Sequence, residues 1–151
     1  MIELALTPSV TRPLAVKYAD LIRRRTRLGY GVVAGFKQTK LLDLEDSTKD
    51  QRDRYSENLS KATTPNRSNL TATGQLLDAI EGKGSEARIE IFINDARDKN
   101  LSGKKSKIGN KALAGYVQKT RPFFALSSSQ QKELVRDIKN ELVTAIKKLL
   151  K

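Results

Sequence analysis

Apolar positions recur at helical spacing near both ends of the chain. Over residues 9–28, Leu14, Tyr18, Leu21 and Ile22 fall at i, i+4, i+7 and i+8, which is one stripe of a helix. Ser9 or Thr11 is placed to cap that helix, and Pro13 suits its first turn, where a missing N–H costs nothing. Arg23, Arg24, Arg25 and Arg27 crowd its last turns, where cations complement the helix dipole; Gly29 and Gly31 then stop it. At the far end, Leu134, Ile138, Leu142 and Ile146 recur every fourth residue, flanked by Val135, Val143 and Leu150. Ser127 and Gln130 have capping-box spacing ahead of this helix, and Lys147, Lys148 and Lys151 close it. The spacing predicts a helix packed into the core. Between the two helices one period-2 segment stands out: over 86–93, Ala87, Ile89, Ile91 and Ile93 alternate with Arg88, Glu90 and Phe92, as in a strand with one buried face.

The intervening segments are less apolar. Val32-Val33-Ala34-Gly35-Phe36 reads as a short strand or an extended arm, and 46–55 as an exposed helix with few apolar anchors. Residues 63–69 have the composition of a loop. The region 29–69 contains little to bury, which predicts a long protruding arm ordered in part by neighbours. Residues 70–80 read as a turn into a short helix ending near Gly82, with Leu76, Leu77 and Ile80 on its buried face. Residues 99–111 read as a flexible basic loop and 111–119 as a short helix. Residues 121–126 read as extended, since Pro122 disfavours helix in the residue before it. The resulting fold class is α+β, in a single domain over 1–151. A small antiparallel sheet packs with an N-terminal and a long C-terminal amphipathic helix, and the middle region protrudes.

Composition narrows the chemistry. A chain of 151 residues suits one domain that needs no covalent staple. It contains no Cys and no His, which excludes disulfides, zinc fingers, zinc hydrolases and Ser-His-Asp triads. Carboxylate, Lys or Tyr chemistry, or a carboxylate-held Mg²⁺, is what an enzyme would have left. The net charge of +12 makes phosphate polymers or acidic proteins attractive partners. Aromatics are only 5% of the chain, without Trp, which argues against single-strand binding on stacking platforms. No secretion signal or membrane span is legible, so the chain is expected to be made and used in a cytoplasm or in something assembled there.

Few motifs survive their structural requirements. Gly29-x-Gly31-x-x-Ala34 lacks the preceding strand of a dinucleotide site, and Gly82-Lys83-Gly84-Ser85 lacks the spacing of a phosphate loop and reads as a turn. Glu90, Asp95, Asp98 and Lys99 lie loosely where a metal-dependent nuclease places its carboxylates and Lys. Asp43, Glu45 and Asp46 read as a solvated helix start. All seven charged residues between 99 and 121 counted after Asp98 are basic. Of these, Lys104, Lys105, Lys107 and Lys111 are candidate contacts to DNA phosphates, without base readout.

Three blocks, in order, resemble the phage virion-morphogenesis and tail-completion proteins of the Mu-like neck family. They are Leu41-Leu42-Asp43-Leu44 with Ser47-Thr48 and Arg52; Leu70-Thr71-Ala72-Thr73-Gly74-Gln75-Leu76-Leu77-Asp78-Ala79-Ile80; and Thr120-Arg121-Pro122-Phe123-Phe124-Ala125-Leu126-Ser127. The resemblance runs over roughly residues 10–150. It departs at Gly115-Tyr116-Val117-Gln118, where the family often carries a His-containing element. The resemblance implies a non-enzymatic structural subunit without cofactor or metal. Such a subunit assembles as a homo-oligomeric ring in the virion neck or upper tail, among portal-side and tail proteins, around the DNA channel. It also implies structural or interface roles for Leu70, Thr73, Gly74, Leu76, Arg121, Pro122, Phe123 and Leu126. The alternative reading is a free-standing basic nucleic-acid-binding protein, and a third is a Mg²⁺-dependent nuclease centred on Glu90 and Asp95.

Overall fold

Helix α1 (Pro8–Arg27) lies directly across a β-hairpin made of β3 (Ile80–Ser85) and β4 (Arg88–Ile93), and the rest of the chain is arranged around that contact. These features come from a computed structural model that describes residues 6–61, 63 and 70–149. After α1 come β1 (Tyr30–Val33) and β2 (Lys37–Lys40), a second antiparallel hairpin, then α2 (Asp46–Arg54). A single helical turn, α3 (Gln75–Asp78), leads into β3; α4 (Asn110–Thr120) and α5 (Ser128–Leu149) follow β4. The fold is α+β, its strands forming two separate two-stranded sheets.

The close approach of α1 depends on two residues without a side chain. A Cβ on Gly82 would lie 2.1 Å from the Ala15 carbonyl oxygen, and one on Gly84 would lie 2.3 Å from the Arg12 nitrogen. Glycine inside a strand marks such backbone contact. It explains why the segment anticipated as a helix end and a turn, Gly82-Lys83-Gly84-Ser85, is instead strand β3, paired from Ile80↔Ile93 to Ser85↔Arg88. The buried Thr11 hydroxyl donates to the Ser85 carbonyl at 2.8 Å and fixes the register of helix on hairpin. Leu14, Ala15, Tyr18, Ala19 and Ile22 complete the buried face of α1.

Several local expectations shift. Thr7, rather than Ser9 or Thr11, takes the N-cap position, with no side-chain cap bond; Pro8 occupies the first turn and Pro13 lies inside the helix. Strand β4 begins at Arg88, because Glu86 and Ala87 form the turn of the hairpin, with Ala87 at φ 52°. The middle region is only partly an arm. The β1–β2 hairpin presents Phe36 at its exposed tip, but Val32, Leu41, Leu44 and Arg52 are buried. The loop expected over 63–69 lies, apart from Thr63, outside the described residues.

The largest correction concerns α5. Its capping box is present: the Gln130 carboxamide oxygen accepts from the Ser127 N–H at 2.9 Å, and the Ser127 hydroxyl accepts from the Gln130 N–H at 3.4 Å. Its apolar stripe, however, does not enter the core. Leu134, Ile138 and Leu142 are half-buried, Val135, Val143 and Ile146 are exposed, and no described side chain of the helix is buried. Leu150 lies outside the described residues.

Candidate functional site

The segment after α4 is threaded through the middle of the molecule. Phe123 is fully buried in the cluster formed by Ala19, Ile22, Leu76, Leu77 and Ile80. Its flanking backbone is held from three sides. Val32 N–H donates to the Pro122 carbonyl at 2.8 Å, and a Cβ on Gly31 would sit 2.0 Å from that same oxygen, so Gly31 opens the crossing. The Gln118 carboxamide oxygen accepts the Phe123 and Phe124 N–H groups at 3.0 and 3.1 Å. The buried Arg25 guanidinium donates to the Phe123 carbonyl, to the Ala125 carbonyl at 2.8 Å and to the Gln130 side chain at 2.8 Å. Burial pushes Arg25 down to about 10, so it remains a cation at neutral pH. Arg25 had seemed a dipole-complementing surface residue; it is a staple between α1 and the start of α5. Sequence spacing carries no trace of that role, because its partners lie about a hundred positions away.

The three sequence blocks meet in space. Leu44, Thr48 and Arg52 from the first, Leu70, Thr73 and Leu76 from the second, and Arg121 from the third line one pocket of about 270 Å³. Gly74, at φ 79°, occupies the N-cap position of α3, a left-handed conformation that glycine adopts without strain. Leu70, Leu113, Val117 and Leu126 pack against the core beneath, and Leu70 itself sits at φ 54°. The guanidinium of Arg121 bonds to the Leu42 and Asp43 carbonyls at 3.4 and 3.2 Å, tying the third block to the first. Arg97, from the loop after β4, is a further lining residue that sequence reading passed over.

The basic stretch is built rather than flexible in its first half. Lys99 and Lys105 form an antiparallel bridge, Asn100 N–H donates to the Lys104 carbonyl at 2.9 Å, and Ser106 N–H donates to Asp98 at 3.0 Å. The Asn100 side chain accepts from Lys104 N–H and Ser102 Oγ. The carboxamide of Gln75, the first residue of α3, acts as a strand edge for this loop: it accepts from Asp98 N–H at 2.9 Å and donates to the Lys99 carbonyl at 2.9 Å. Lys104, Lys105, Lys107 and Lys111 all stay exposed on this scaffold, with no acidic partner within salt-bridge distance among the described residues.

The carboxylates singled out for nuclease chemistry have local structural roles. Asp95 caps α4, accepting from Lys111 N–H at 2.8 Å, and the tight fit of Gly109 against its carboxylate explains a glycine there. Exposed Glu90 faces Arg88 at 3.6 Å. Among the described residues no three acidic side chains gather into a possible metal site.

Helices α1 and α5 are clasped through polar groups. Lys17 Nζ lies 2.8 Å from Glu133 and 2.7 Å from Asp137, and the Tyr18 hydroxyl donates to Asp137 at 2.9 Å. The hydrogen bond from Lys17, then that from Tyr18, holds the Asp137 carboxyl below the usual carboxylate range. Burial first, then the bond to Asp137, pushes the Tyr18 phenol up. A lowered carboxyl contributes stability that is complete above its unfolded value near 4 and is lost as the pH falls through its folded value. Because Lys17 is 43% exposed, the contribution is below about 1 kcal/mol. The expected outcome is that the amide protection factors in the first turns of α5, corrected for the intrinsic exchange rate at each pH, are flat from pH 5 to 8 and fall only below about pH 4, an effect that Asp137→Asn abolishes.

The sequence matches no family model, and neither a curated protein nor a solved structure matches it.

Proposed function

We propose that this chain is a structural subunit of a tailed-phage virion, a neck or tail-completion component that forms a ring around the DNA channel. The observation that carries the reading is α5. A helix of 22 residues, about 33 Å long, carries an apolar stripe that the described part of its own chain covers only in part, with Leu134, Ile138 and Leu142 half-buried and Val135, Val143 and Ile146 exposed. Exposed contiguous apolar surface is the usual mark of an interface. A ring needs two different faces on each copy, one to give and one to receive. The second face is the outer side of α1, a shallow groove of about 620 Å³ in which Pro13, Val16 and Leu21 are interspersed with the charged Arg12, Lys17, Asp20 and Arg24. In this reading α5 of one copy lies on α1 of the next. The exposed lysines of the 99–111 loop then repeat around the axis, so that weak phosphate attraction is multiplied. The converging motif blocks resembling neck proteins support the same conclusion. The four exposed lysines also favour a second reading, a free-standing basic nucleic-acid-binding protein.

Light scattering on the eluting protein, with and without duplex DNA and Mg²⁺, separates the readings. The ring reading expects a closed oligomer, and Ile138→Glu with Leu142→Glu is expected to reduce it to a 16.8 kDa monomer with unchanged helicity. A wild-type chain that stays monomeric at the highest attainable concentration and binds DNA as a monomer overturns the ring in favour of the second reading. Cleavage of the DNA overturns both.

A further inference from the structure

The pocket at which the three blocks meet has an unusual balance of charge. Arg52, Arg97 and Arg121 line it, and none of its described lining residues is acidic. Apart from Thr48 and Thr73 its remaining walls are apolar, among them Leu76, Leu113 and Val117. Arg52 is buried, and its pKa is lowered by burial and by the charge of Arg121. It has a partner already, and what it adds to the pocket is charge. Arg97 faces the same pocket. Its Nη1 reaches the Asn110 side-chain oxygen at a long 3.3 Å, while its Nε, like those of Arg23 and Arg25 outside the pocket, is buried with no hydrogen-bond partner among the described residues, and burial lowers its pKa too. Arg121 uses Nε and Nη2 on carbonyls of the 41–44 segment, and its Nη1 makes no bond among the described residues. A buried N–H left unpaired, as on Arg97, and a guanidinium set against apolar walls are both unfavourable. A bound carboxylate relieves both at once, since its two oxygens match guanidinium N–H groups in a plane.

We propose that this pocket receives the carboxylate of an acidic side chain, set between apolar neighbours, on a segment of a different protein. The net charge of +12 favours an acidic partner over a second copy of this chain. The apolar walls favour a peptide over nucleic acid, because phosphates are flanked by hydrophilic sugar and are met by exposed cations such as those of the 99–111 loop. The site lies within one chain, so it stands whether or not the chain forms rings.

The test uses the full chain and its methyl and Arg Nε–H NMR signals. The probe is the acetylated peptide amide Ala-Leu-Glu-Leu-Ala; the controls are its Gln counterpart, inorganic phosphate and a short DNA duplex. The Glu peptide is expected to shift the signals of Leu76, Leu113, Val117 and Arg97, and the Gln peptide to bind about tenfold more weakly or less. Arg97→Gln, which removes only one long hydrogen bond from the fold, is expected to abolish the difference between the two peptides while leaving the oligomeric state unchanged. Equal binding of Glu and Gln peptides overturns the proposal. So do shifts of the same signals by phosphate or DNA as strong as those from the peptide. Loss of self-association in Arg97→Gln overturns it as well, by making the occupant a second copy.

Discussion

Replacing Gly82 by Val is expected to cost about 3 kcal/mol or more. The first added carbon already falls 2.1 Å from the Ala15 carbonyl oxygen and 2.8 Å from the Val16 nitrogen, both backbone atoms inside α1. No rotamer change can clear a clash with helix backbone, so α1 must lift away from β3. Lifting it uncovers Ala15, Tyr18, Ala19 and Ile22 on one side and Ile80 and Ile93 on the other, all buried at present. The Thr11 bond to Ser85 stretches with it. Denaturant titration of the wild type, Gly82→Val and Gly115→Ala checks this, because the last provides a contrast within one protein. Gly115 sits in α4 with nothing within 4 Å of an added Cβ. There the substitution is expected to stabilise by about 0.5–1 kcal/mol through helix propensity and chain entropy. A Gly82→Val midpoint within error of wild type would mean that α1 does not pack on β3 as described.

That contrast also shows which parts of the fold were legible in the sequence. Periodicity reveals an element when its own side chains carry the pattern. It placed α1 and α5 to within one or two residues of 9–28 and of the helix after Ser127, and it chose the inward face of β4. The capping box was legible for the same reason, being two side chains three residues apart. Strand β3 was not. Ile80-Glu81-Gly82-Lys83-Gly84-Ser85 has glycine where an alternating strand would carry inward side chains, and glycine by itself signals a turn. Its reason for being there is α1, some seventy positions earlier. Arg25 hid in the same way: it sat among helix-end cations, and its partners lie about a hundred positions along the chain. The stripe of α5 exposes a different limit. Spacing shows that a face is apolar, but not whether the covering surface is in the same molecule. For the site, the three blocks could be recognised singly, while their meeting around one pocket with an excess of arginine required the fold.

Truncating Phe123 to Ala is expected to cost about 3–5 kcal/mol, close to the whole stability of a small domain. Phe123 is fully buried, and it touches the point where α1, α3 and the β3–β4 hairpin come together. Its surroundings cannot collapse into the void. The backbone on either side is pinned by Arg25, Gln118 and the Val32 bond to Pro122, and Gly31 fits against that same carbonyl. A rigid cavity costs more than one that relaxes, so Phe123→Ala belongs at the upper end of the range, whereas Phe123→Leu, which keeps most of the volume, is expected to cost about 1–1.5 kcal/mol. Exposed Phe36, at the tip of the β1–β2 hairpin, is the matching control: Phe36→Ala is expected to change stability by less than about 0.5 kcal/mol. Because the staple from Arg25 runs through this segment to Gln130, loosening it also frees the first turn of α5. In Phe123→Ala, amide exchange of residues 128–133 is therefore expected to rise along with that of the core, while Phe36→Ala leaves both unchanged. Protection of α5 that survives in a destabilised Phe123→Ala protein would show that the helix is anchored independently of the Arg25 staple, by its clasp to Lys17 and Tyr18 and the bonds from Ser128 to the hairpin tip.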